Sequence, residues 1–115
     1  MADIFDSVEL GDLRLSNRIV MAPMTRARAG DLDEPTDLMA QYYRQRAGAG
    51  LIITEGTQPS AVGKGYWRTP GIYDDVQIAG WSRVADAVHC EVGQIVMQLM
   101  HCGRVSVRSN KPLCA

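Results

Sequence analysis

The chain has 115 residues, with 12 Lys and Arg against 13 Asp and Glu, which gives a formal net charge of −1 at pH 7. Proteins that bind nucleic acids or anionic membrane surfaces rely on an excess of basic residues, so we expect neither kind of partner. Hydrophobic residues make up 46% of the chain and charged residues 22%, a balance typical of a folded domain. The length allows one domain at most.

The cysteines and the first residues bear on the cellular compartment. Cys90, Cys102 and Cys114 are an odd number and form no CxxC pair, which favours free thiols in a reducing compartment. The first six residues lack the basic start and apolar run of a signal peptide, and no apolar stretch approaches the roughly 20 residues of a membrane helix. We therefore expect a cytoplasmic protein.

The first half of the chain predicts a hairpin, a strand and a helix. Residues 8–15 alternate apolar and polar positions around a Gly-Asp pair, which predicts a β-hairpin. The apolar run 18–24 contains a proline near its end and predicts a strand that is buried on both faces. After Thr36, apolar residues recur at steps of three and four. This predicts a helix with Thr36 as its N-cap and Gly48 as its stop.

The second half repeats the alternation of strand and helix. The run 51–54 predicts a second strand, a helix begins at 74–75 and ends near Gly93, and 94–100 predicts a third strand. A helix follows each strand so closely that a parallel sheet built from βαβ units is expected. The intervening loop 58–73 is long, which is uncommon in compact domains unless the loop is functional. Three aromatic residues at helical spacing are predicted core positions: Tyr42, Tyr43 and Trp81.

Polar residues follow each of the three predicted strands. In parallel α/β folds ligands bind at the carboxyl ends of the strands, so these residues are candidates for a site. Gln98 alternates with Val96 and Met100 on one face of an otherwise apolar strand. An unpaired buried amide costs about 1–3 kcal/mol, so Gln98 needs a hydrogen-bond partner. A neighbouring backbone group or a buried water serves that need as well as a ligand does.

Four segments together resemble the N-terminal part of the Old Yellow Enzyme family, which comprises FMN-dependent NAD(P)H oxidoreductases that are often ene-reductases. The segments are 22–26, 42–56, 64–66 and 98–104, and the resemblance runs from about residue 4 to about residue 110. It implies an α/β fold, namely the N-terminal part of a TIM (β/α)8 barrel with about three strands and two helices.

The same resemblance divides the chain. Residues 1–115 would form a single partial domain, in which 7–16 is a hairpin that plugs the bottom of the barrel and 17–115 holds the first βα units. A whole barrel takes about 250 residues, so less than half of it is present in this sequence.

The resemblance also implies cofactor-binding residues. Pro23, Met24 and Thr25 match the segment along one edge of the isoalloxazine, with the Thr25 hydroxyl near flavin O4. Gly56 matches a small residue that lets the backbone approach the flavin closely. Gln98 matches the glutamine that binds the pyrimidine edge. Without the resemblance, Thr25 would suit a turn equally well and Gly56 would be an ordinary turn glycine.

Three residues are implied on the substrate side: Thr25, Tyr66 and Met100. Tyr66 resembles a loop tyrosine near the substrate entrance, although an ordinary exposed or packed loop tyrosine fits the sequence as well. Met100 stands where related enzymes often carry a tryptophan, so the shape of the pocket is expected to differ. The family's residues for the substrate oxygen and for proton donation have no match in this chain, and no residue here is assigned as catalytic.

A phosphate site and a metal site are the two other candidates, and we predict neither. Arg26, Arg28 and Arg104 have no glycine-rich phosphate motif beside them and are predicted to form salt bridges. Two His-Cys dipeptides, 89–90 and 101–102, would stand at opposite ends of one strand, so no metal site is predicted.

The implied function is hydride transfer from NAD(P)H through FMN to an electron-poor alkene or a nitro compound, with the remainder of the barrel or another chain as partner. The alternative is a non-catalytic truncated remnant, or a module of a split assembly that pairs through its open sheet edge. Val20, Ile53 and Val96 would lie on an uncovered inner face, so we expect the isolated chain to associate and not to turn over substrate. Its unguarded apolar strands favour a piece of an enzyme over an evolved module.

Overall fold

The computed structural model describes residues 1–106, and its first unit is the predicted hairpin. Strands β1 (Val8–Leu10) and β2 (Leu13–Leu15) pair antiparallel, with Leu10 opposite Leu13. Gly11 begins the connecting turn with φ of +59°, a left-handed conformation that glycine adopts without steric cost. Cys114 and the end of the predicted 17–115 segment lie outside the described residues.

The second unit is a parallel sheet of three strands, as predicted. Its order is β3 (Val20–Met21), β4 (Leu51–Ile53) and β5 (Ile95–Val96), with β4 in the middle. In register, Met21 lies beside Ile52, and Ile52 beside Ile95. The outer strands are shorter than predicted: β3 stops two residues before Pro23, which has no N–H to donate, and the regular pairing of β5 stops at Val96.

Helix α1 (Asp37–Arg44) begins directly after Thr36, which occupies the N-cap position as predicted but makes no side-chain capping bond. The Thr36 hydroxyl accepts no helix N–H and instead donates to the Arg28 carbonyl at 2.9 Å. The helix also ends four residues before Gly48. From Gln45 onward the chain runs in turns whose N–H groups bond three residues back, such as Arg46 to Tyr43 at 3.0 Å.

Helix α2 (Asp75–His89) confirms its predicted start. The Asp74 carboxylate accepts the Gln77 N–H at 2.9 Å and caps the first turn. The helix ends earlier than predicted, and Val92 reverses the chain with φ of +60°. Neither helix within residues 1–106 is long and apolar enough to span a membrane.

The core lies between the sheet and the two helices. Tyr43 of α1 and Trp81 of α2 are both buried, with ring centroids 6.3 Å apart, which confirms two of the predicted aromatic core positions. Tyr42 is half-buried at the margin of the core. The buried core residues are Ala29, Met39, Tyr43, Ala47, Ile52, Trp81, Val84 and Val88.

The opposite face of the sheet is open. Val20 is 45% exposed and Val96 36% exposed, while Ile53 is half-buried. The prediction that the first strand is buried on both faces is therefore wrong, because no described residue covers that face at Val20. The prediction of an uncovered face is confirmed at Val20 and Val96, whereas Leu51, beside Val20 on that face, is buried.

Candidate functional site

The carboxyl ends of the three parallel strands meet at one edge of the sheet. Thr25 follows β3, Gly56 follows β4 and Gln98 follows β5. Since β4 is the central strand, Gly56 lies at the strand end between the other two. The topology thus places the residues expected at a flavin edge on one side of the sheet, where parallel α/β folds bind ligands.

An extra residue interrupts the pairing of β4 with β5 at this edge. The last regular pair is Ile53 with Val96, and pairing resumes in an isolated bridge between Thr57 and Leu99. Between these two pairs the chain therefore advances by four residues after β4 but by three residues after β5. This is the count of a β-bulge, a feature that redirects side chains and is frequent beside active sites.

The Thr54 hydroxyl bridges the interrupted ladder. The backbone N–H of Thr54 donates to the Val96 carbonyl at 3.0 Å, and the backbone N–H of Gln98 donates to the Thr54 hydroxyl oxygen at 3.1 Å. In turn that hydroxyl donates to the Glu55 carbonyl at 2.9 Å. A side chain of the central strand thereby binds the backbone of Gln98 where the regular ladder has stopped.

Glu55 is a buried acid that sequence reasoning missed. It is 1% exposed, and its Oε2 accepts the backbone N–H of Arg26 at 3.3 Å. The Tyr43 hydroxyl accepts the Glu55 N–H at 2.9 Å and donates to Glu55 Oε1 at 3.4 Å. An acidic residue two positions after the apolar run Leu51–Ile53 was the available signal, because a buried carboxylate there must find partners.

Burial is the largest cause of the pKa shifts of Glu55 and Tyr43. Desolvation raises the pKa of Glu55 above its ordinary value, although the hydrogen bonds from Arg26 and Tyr43 oppose the shift. Desolvation also raises the pKa of the Tyr43 hydroxyl, so that it stays protonated and can donate. The pair therefore serves as an anchor for backbone groups at the strand ends.

Gln98 and Thr25 present polar groups that the described chain leaves unpaired. Ile95 and Met97 pack against the core, so the alternation of the strand directs Gln98 to the open face. Its half-buried side-chain amide has no hydrogen-bond partner within residues 1–106, and neither does the exposed Thr25 hydroxyl. The expectation of an amide enclosed in an apolar sheet is wrong. Two unpaired groups at one edge fit a ligand with a hydrogen-bonding rim, such as a flavin.

Met100 packs on Gly56. A Cβ added to Gly56 would lie only 2.8 Å from the Met100 Sδ, so the absence of a side chain makes room for the thioether. The Met100 N–H also donates to the Thr57 carbonyl at 2.9 Å. Met100 therefore lies over the end of the central strand, beside the candidate flavin edge.

Tyr66 lies on the long loop, after a short 3-10 turn at Ala61–Gly63. It is 48% exposed, and its hydroxyl has no partner among the described residues. The Cys102 N–H donates to the Gly63 carbonyl at 3.0 Å, which ties this loop to the segment that follows β5. Met24 is exposed and Pro23 half-buried in the corresponding segment after β3.

A buried polar cluster holds the long loop, and sequence reasoning missed it. The Lys64 ammonium pairs with Asp33, and Gln58 Nε2 donates to the other Asp33 oxygen at 3.1 Å. The Thr69 hydroxyl donates to Gln58 Oε1 at 3.0 Å. These mutual hydrogen bonds fix the loop from within, in addition to the packing of Ile72 against the core.

The predicted salt bridges of three arginines are wrong for the described chain. Arg26 lies over the Tyr42 ring, 5.3 Å from its centroid, and Arg28 donates to the carbonyls of Arg26 and Ala27 at 3.1 Å each. Arg104 has no ion pair within residues 1–106. For Arg28 backbone carbonyls, and for Arg26 an aromatic face, take the place of an acid.

The His-Cys dipeptides lie at opposite ends of β5. His89 ends α2 and His101 follows β5. In the described part of the chain no three His, Cys, Asp or Glu side chains come together as metal ligands would. Cys90 and Cys102 are free thiols.

Comparison with known proteins gives one consistent result. The NADH:flavin oxidoreductase / NADH oxidase family model matches residues 3–113. Chanoclavine-I aldehyde reductase of Penicillium roqueforti is 48% identical over 106 residues, which cover 90% of this chain and 29% of that protein. Morphinone reductase is 50% identical with a TM-score of 0.90, over 95% of this chain and 29% of that structure.

An Old Yellow Enzyme homologue from Zymomonas mobilis is 44% identical with a TM-score of 0.91, over 95% of this chain and 31% of that structure. The chain therefore spans less than a third of the length of these proteins. Because they are TIM barrels, the hairpin, three strands and two helices correspond to the first part of such a barrel. The chain belongs to the NADH:flavin oxidoreductase / NADH oxidase family, the family of Old Yellow Enzyme.

Proposed function

We propose that this chain supplies the part of the site that binds the flavin pyrimidine edge in an FMN-dependent NAD(P)H oxidoreductase of the ene-reductase type. The observation that carries the proposal is the pair of unpaired polar groups, the Gln98 amide and the Thr25 hydroxyl, at ends of strands on both sides of Gly56. Bound FMN supplies the hydride chemistry between NAD(P)H and an electron-poor alkene or a nitro compound.

Each residue of the edge has a role that its chemistry supports. The Gln98 carboxamide offers donors and an acceptor and suits a pyrimidine edge that alternates the two. The Thr25 hydroxyl donates towards the flavin oxygen and stabilises negative charge there, as fixed donors do in oxyanion sites. Pro23 and Met24 line the same segment, and Gly56 leaves room at the end of the central strand for the Met100 side chain beside the flavin edge.

The substrate side is proposed to involve Thr25, Tyr66 and Met100. Met100 is unbranched and flexible, so it shapes a pocket wall that can adapt to different substrates. Tyr66 is exposed on a loop tied to the segment after β5, which suits a position at the entrance. We propose a cytoplasmic setting, and we expect the isolated chain to be inactive without the remaining barrel or a partner chain.

A second candidate function follows from the open sheet. Val20 and Val96 are exposed on the uncovered face, so the chain can pair with another chain as a non-catalytic part of a split assembly. The two functions differ in whether flavin binds.

FMN titration followed by flavin fluorescence tests the proposal. The titration is made with the chain alone and with the chain mixed with the part of the Zymomonas mobilis homologue that it does not cover. We expect quenching in the mixture, and about tenfold weaker binding for Gln98→Ala, which corresponds to about 1.4 kcal/mol.

Gln94→Ala is the matched control. It removes the same amide from the other end of β5, where Gln94 donates to the Arg14 carbonyl. We expect it to bind FMN as the unsubstituted chain does. Absence of quenching in the mixture would overturn the flavin function and favour the split-assembly alternative, and equal affinities for all three proteins would overturn the assignment of Gln98.

A further inference from the structure

We propose that Thr54 and Glu55, the two residues directly after the central strand, are positioning residues whose side chains fix the segments that follow both neighbouring strands. The inference rests on the proposed flavin function, because those segments carry Thr25 and Gln98. Thr54 binds the backbone on the β5 side, and Glu55 binds the backbone on the β3 side.

On the β3 side, the link is the 3.3 Å bond from the Arg26 N–H to Glu55 Oε2. Arg26 directly follows Thr25, so this bond holds the peptide next to the proposed flavin hydroxyl. It is the one hydrogen bond made by that N–H within the described chain. Without the bond to Glu55, the backbone N–H of Arg26 has no hydrogen bond to hold the segment that follows β3.

The choice of residue supports a positioning role for Glu55. A buried carboxyl is costly to desolvate, and an apolar side chain of similar size would fill the space without that cost. The cost is offset only by what the carboxyl binds, namely the Arg26 N–H and the Tyr43 hydroxyl. The role of Glu55 is therefore best explained by the strand end that it holds.

On the β5 side, the link is the 3.1 Å bond from the Gln98 N–H to the Thr54 hydroxyl. The Gln98 carbonyl accepts the Thr57 N–H at 2.9 Å, so both backbone groups of Gln98 are hydrogen-bonded. At the bulge the Thr54 hydroxyl acts as the acceptor for this N–H, and its position sets the orientation of the residue that presents the amide.

The two links meet in adjacent residues. Thr54 and Glu55 are consecutive, and the Thr54 hydroxyl also donates to the Glu55 carbonyl at 2.9 Å. Thr54 and Glu55, directly after β4, thus determine the placement of Thr25 relative to Gln98. A flavin edge that binds both groups requires this placement, since hydrogen bonds weaken steeply with distance and angle.

Two substitutions separate the links. Thr54→Val keeps the shape of the side chain and removes the acceptor for Gln98, and Glu55→Ala removes the acceptor for Arg26. Thr57→Val is the matched control: Thr57 is equally buried and its hydroxyl also donates to the Glu55 carbonyl, at 3.1 Å, but it contacts neither of the two N–H groups. Thr54→Ser and Glu55→Gln restore an oxygen at each link.

Amide hydrogen exchange of the chain, resolved to single residues by mass spectrometry, is the first readout. We expect Thr54→Val to accelerate exchange at Gln98 by at least about tenfold and to leave Arg26 unchanged. Glu55→Ala should do the reverse, and Glu55→Gln and Thr54→Ser should restore slow exchange. If Glu55→Ala does not fold, Glu55→Met removes the acceptor while nearly preserving the side-chain volume, so that it and Thr54→Val still test the two links.

FMN affinity of the mixture described above is the second readout. Thr54→Val and Glu55→Ala should each weaken FMN binding several-fold, Thr57→Val should not, and Thr54→Ser should rescue. Unchanged exchange at both N–H groups, or equal affinities for Thr54→Val and Thr57→Val, would overturn the positioning role while FMN binding itself persists. Failure of the unsubstituted chain to bind FMN would instead overturn the proposed function, and the positioning role would fall with it.

Discussion

The Tyr43 hydroxyl lies 2.9 Å from the Glu55 amide nitrogen and 3.4 Å from its carboxylate Oε1. One phenol on α1 therefore binds both the backbone and the side chain of the residue that ends the central strand. Through Glu55 it also reaches Arg26, at the end of the neighbouring strand. The helix packing in the core and the candidate site at the sheet edge are thus connected by a continuous set of hydrogen bonds.

Tyr43→Phe tests this connection in terms of stability. The substitution keeps the ring and leaves the buried Glu55 N–H without its acceptor, so we expect a loss of about 1–3 kcal/mol in the free energy of unfolding. Urea denaturation measures it. Tyr42→Phe is the control, because Tyr42 is half-buried and its hydroxyl has no partner within residues 1–106. Equal stabilities of the two variants would contradict the account.

The raised pKa of Glu55 makes stability depend on pH. Burial raises this pKa above its ordinary value of 4.5, so the folded chain holds the proton more tightly than the unfolded chain. The associated stability is present below pH 4.5 and is lost as the pH rises through the folded-state pKa.

Glu55→Gln resembles the protonated form at every pH. Relative to this variant, we expect the unsubstituted chain to lose stability as the pH is raised from 4.5, measured by denaturation at a series of pH values. Glu9→Gln, on the exposed hairpin, controls for the loss of one carboxylate. If the unsubstituted chain instead became less stable than Glu55→Gln as the pH falls, the pKa of Glu55 would be lowered by folding and the account would be wrong.

Gly56→Ala should clash with Met100. The added Cβ would lie 2.8 Å from Sδ, and we expect a destabilisation of about 1 kcal/mol, at the low end of overpacking costs, because the contacting atoms are the end of a flexible side chain. Met100→Ala in the same chain should relieve part of this cost, so the double-mutant cycle should show coupling. Gly48→Ala is the control, since nothing lies within 4 Å of its added Cβ. Additive effects of the two substitutions would contradict the contact.

Lys64→Met should destabilise the long loop strongly. It leaves the mostly buried Asp33 carboxylate without its cation, and breaking such a pair costs about 3 kcal/mol. Arg44→Met breaks the exposed pair with Glu91 and should cost less than about 1 kcal/mol. Thermal or urea unfolding of the two variants measures the difference, and comparable losses would show that the Lys64 pair does not anchor the loop.

The open sheet face should govern association. Gel filtration of the isolated chain is expected to show oligomers, because Val20 and Val96 are exposed on a face that the described residues do not cover. A charge at either position, as in Val20→Lys or Val96→Lys, should shift the chain towards the monomer. Val76→Lys, at another exposed apolar position of α2, tests whether any exposed apolar position has the same effect. A monomeric unsubstituted chain would contradict the prediction.

The sequence predicts the order of the elements and the location of the site, because both follow from local patterns. Alternation and helical spacing identify the hairpin and the two helices, and a helix after each strand predicts the parallel sheet. The position of Gln98 near the carboxyl end of the third strand is predictable for the same reason, although the predicted strand 94–100 included Gln98 and the observed β5 ends before it.

The contacts that hold the strand ends are not predictable in this way. The bulge opposite Gln98 depends on a count of residues along two strands that pair only in three dimensions. Tyr43 contacts Glu55 across 12 positions of sequence, and Lys64 pairs with Asp33 across 31, so no local pattern reveals either. The pattern of the strand also does not show which of its faces is covered.

The most direct test of the central claim is the side-chain NH2 signal of Gln98 in the nitrogen-15 labelled chain, mixed with the missing part of the homologous barrel and titrated with FMN. The signal is identified by its loss in Gln98→Ala. If Gln98 binds the flavin edge, its side-chain signal shifts with FMN while that of Gln94 stays in place. An unshifted Gln98 signal at FMN concentrations that quench flavin fluorescence would contradict the account.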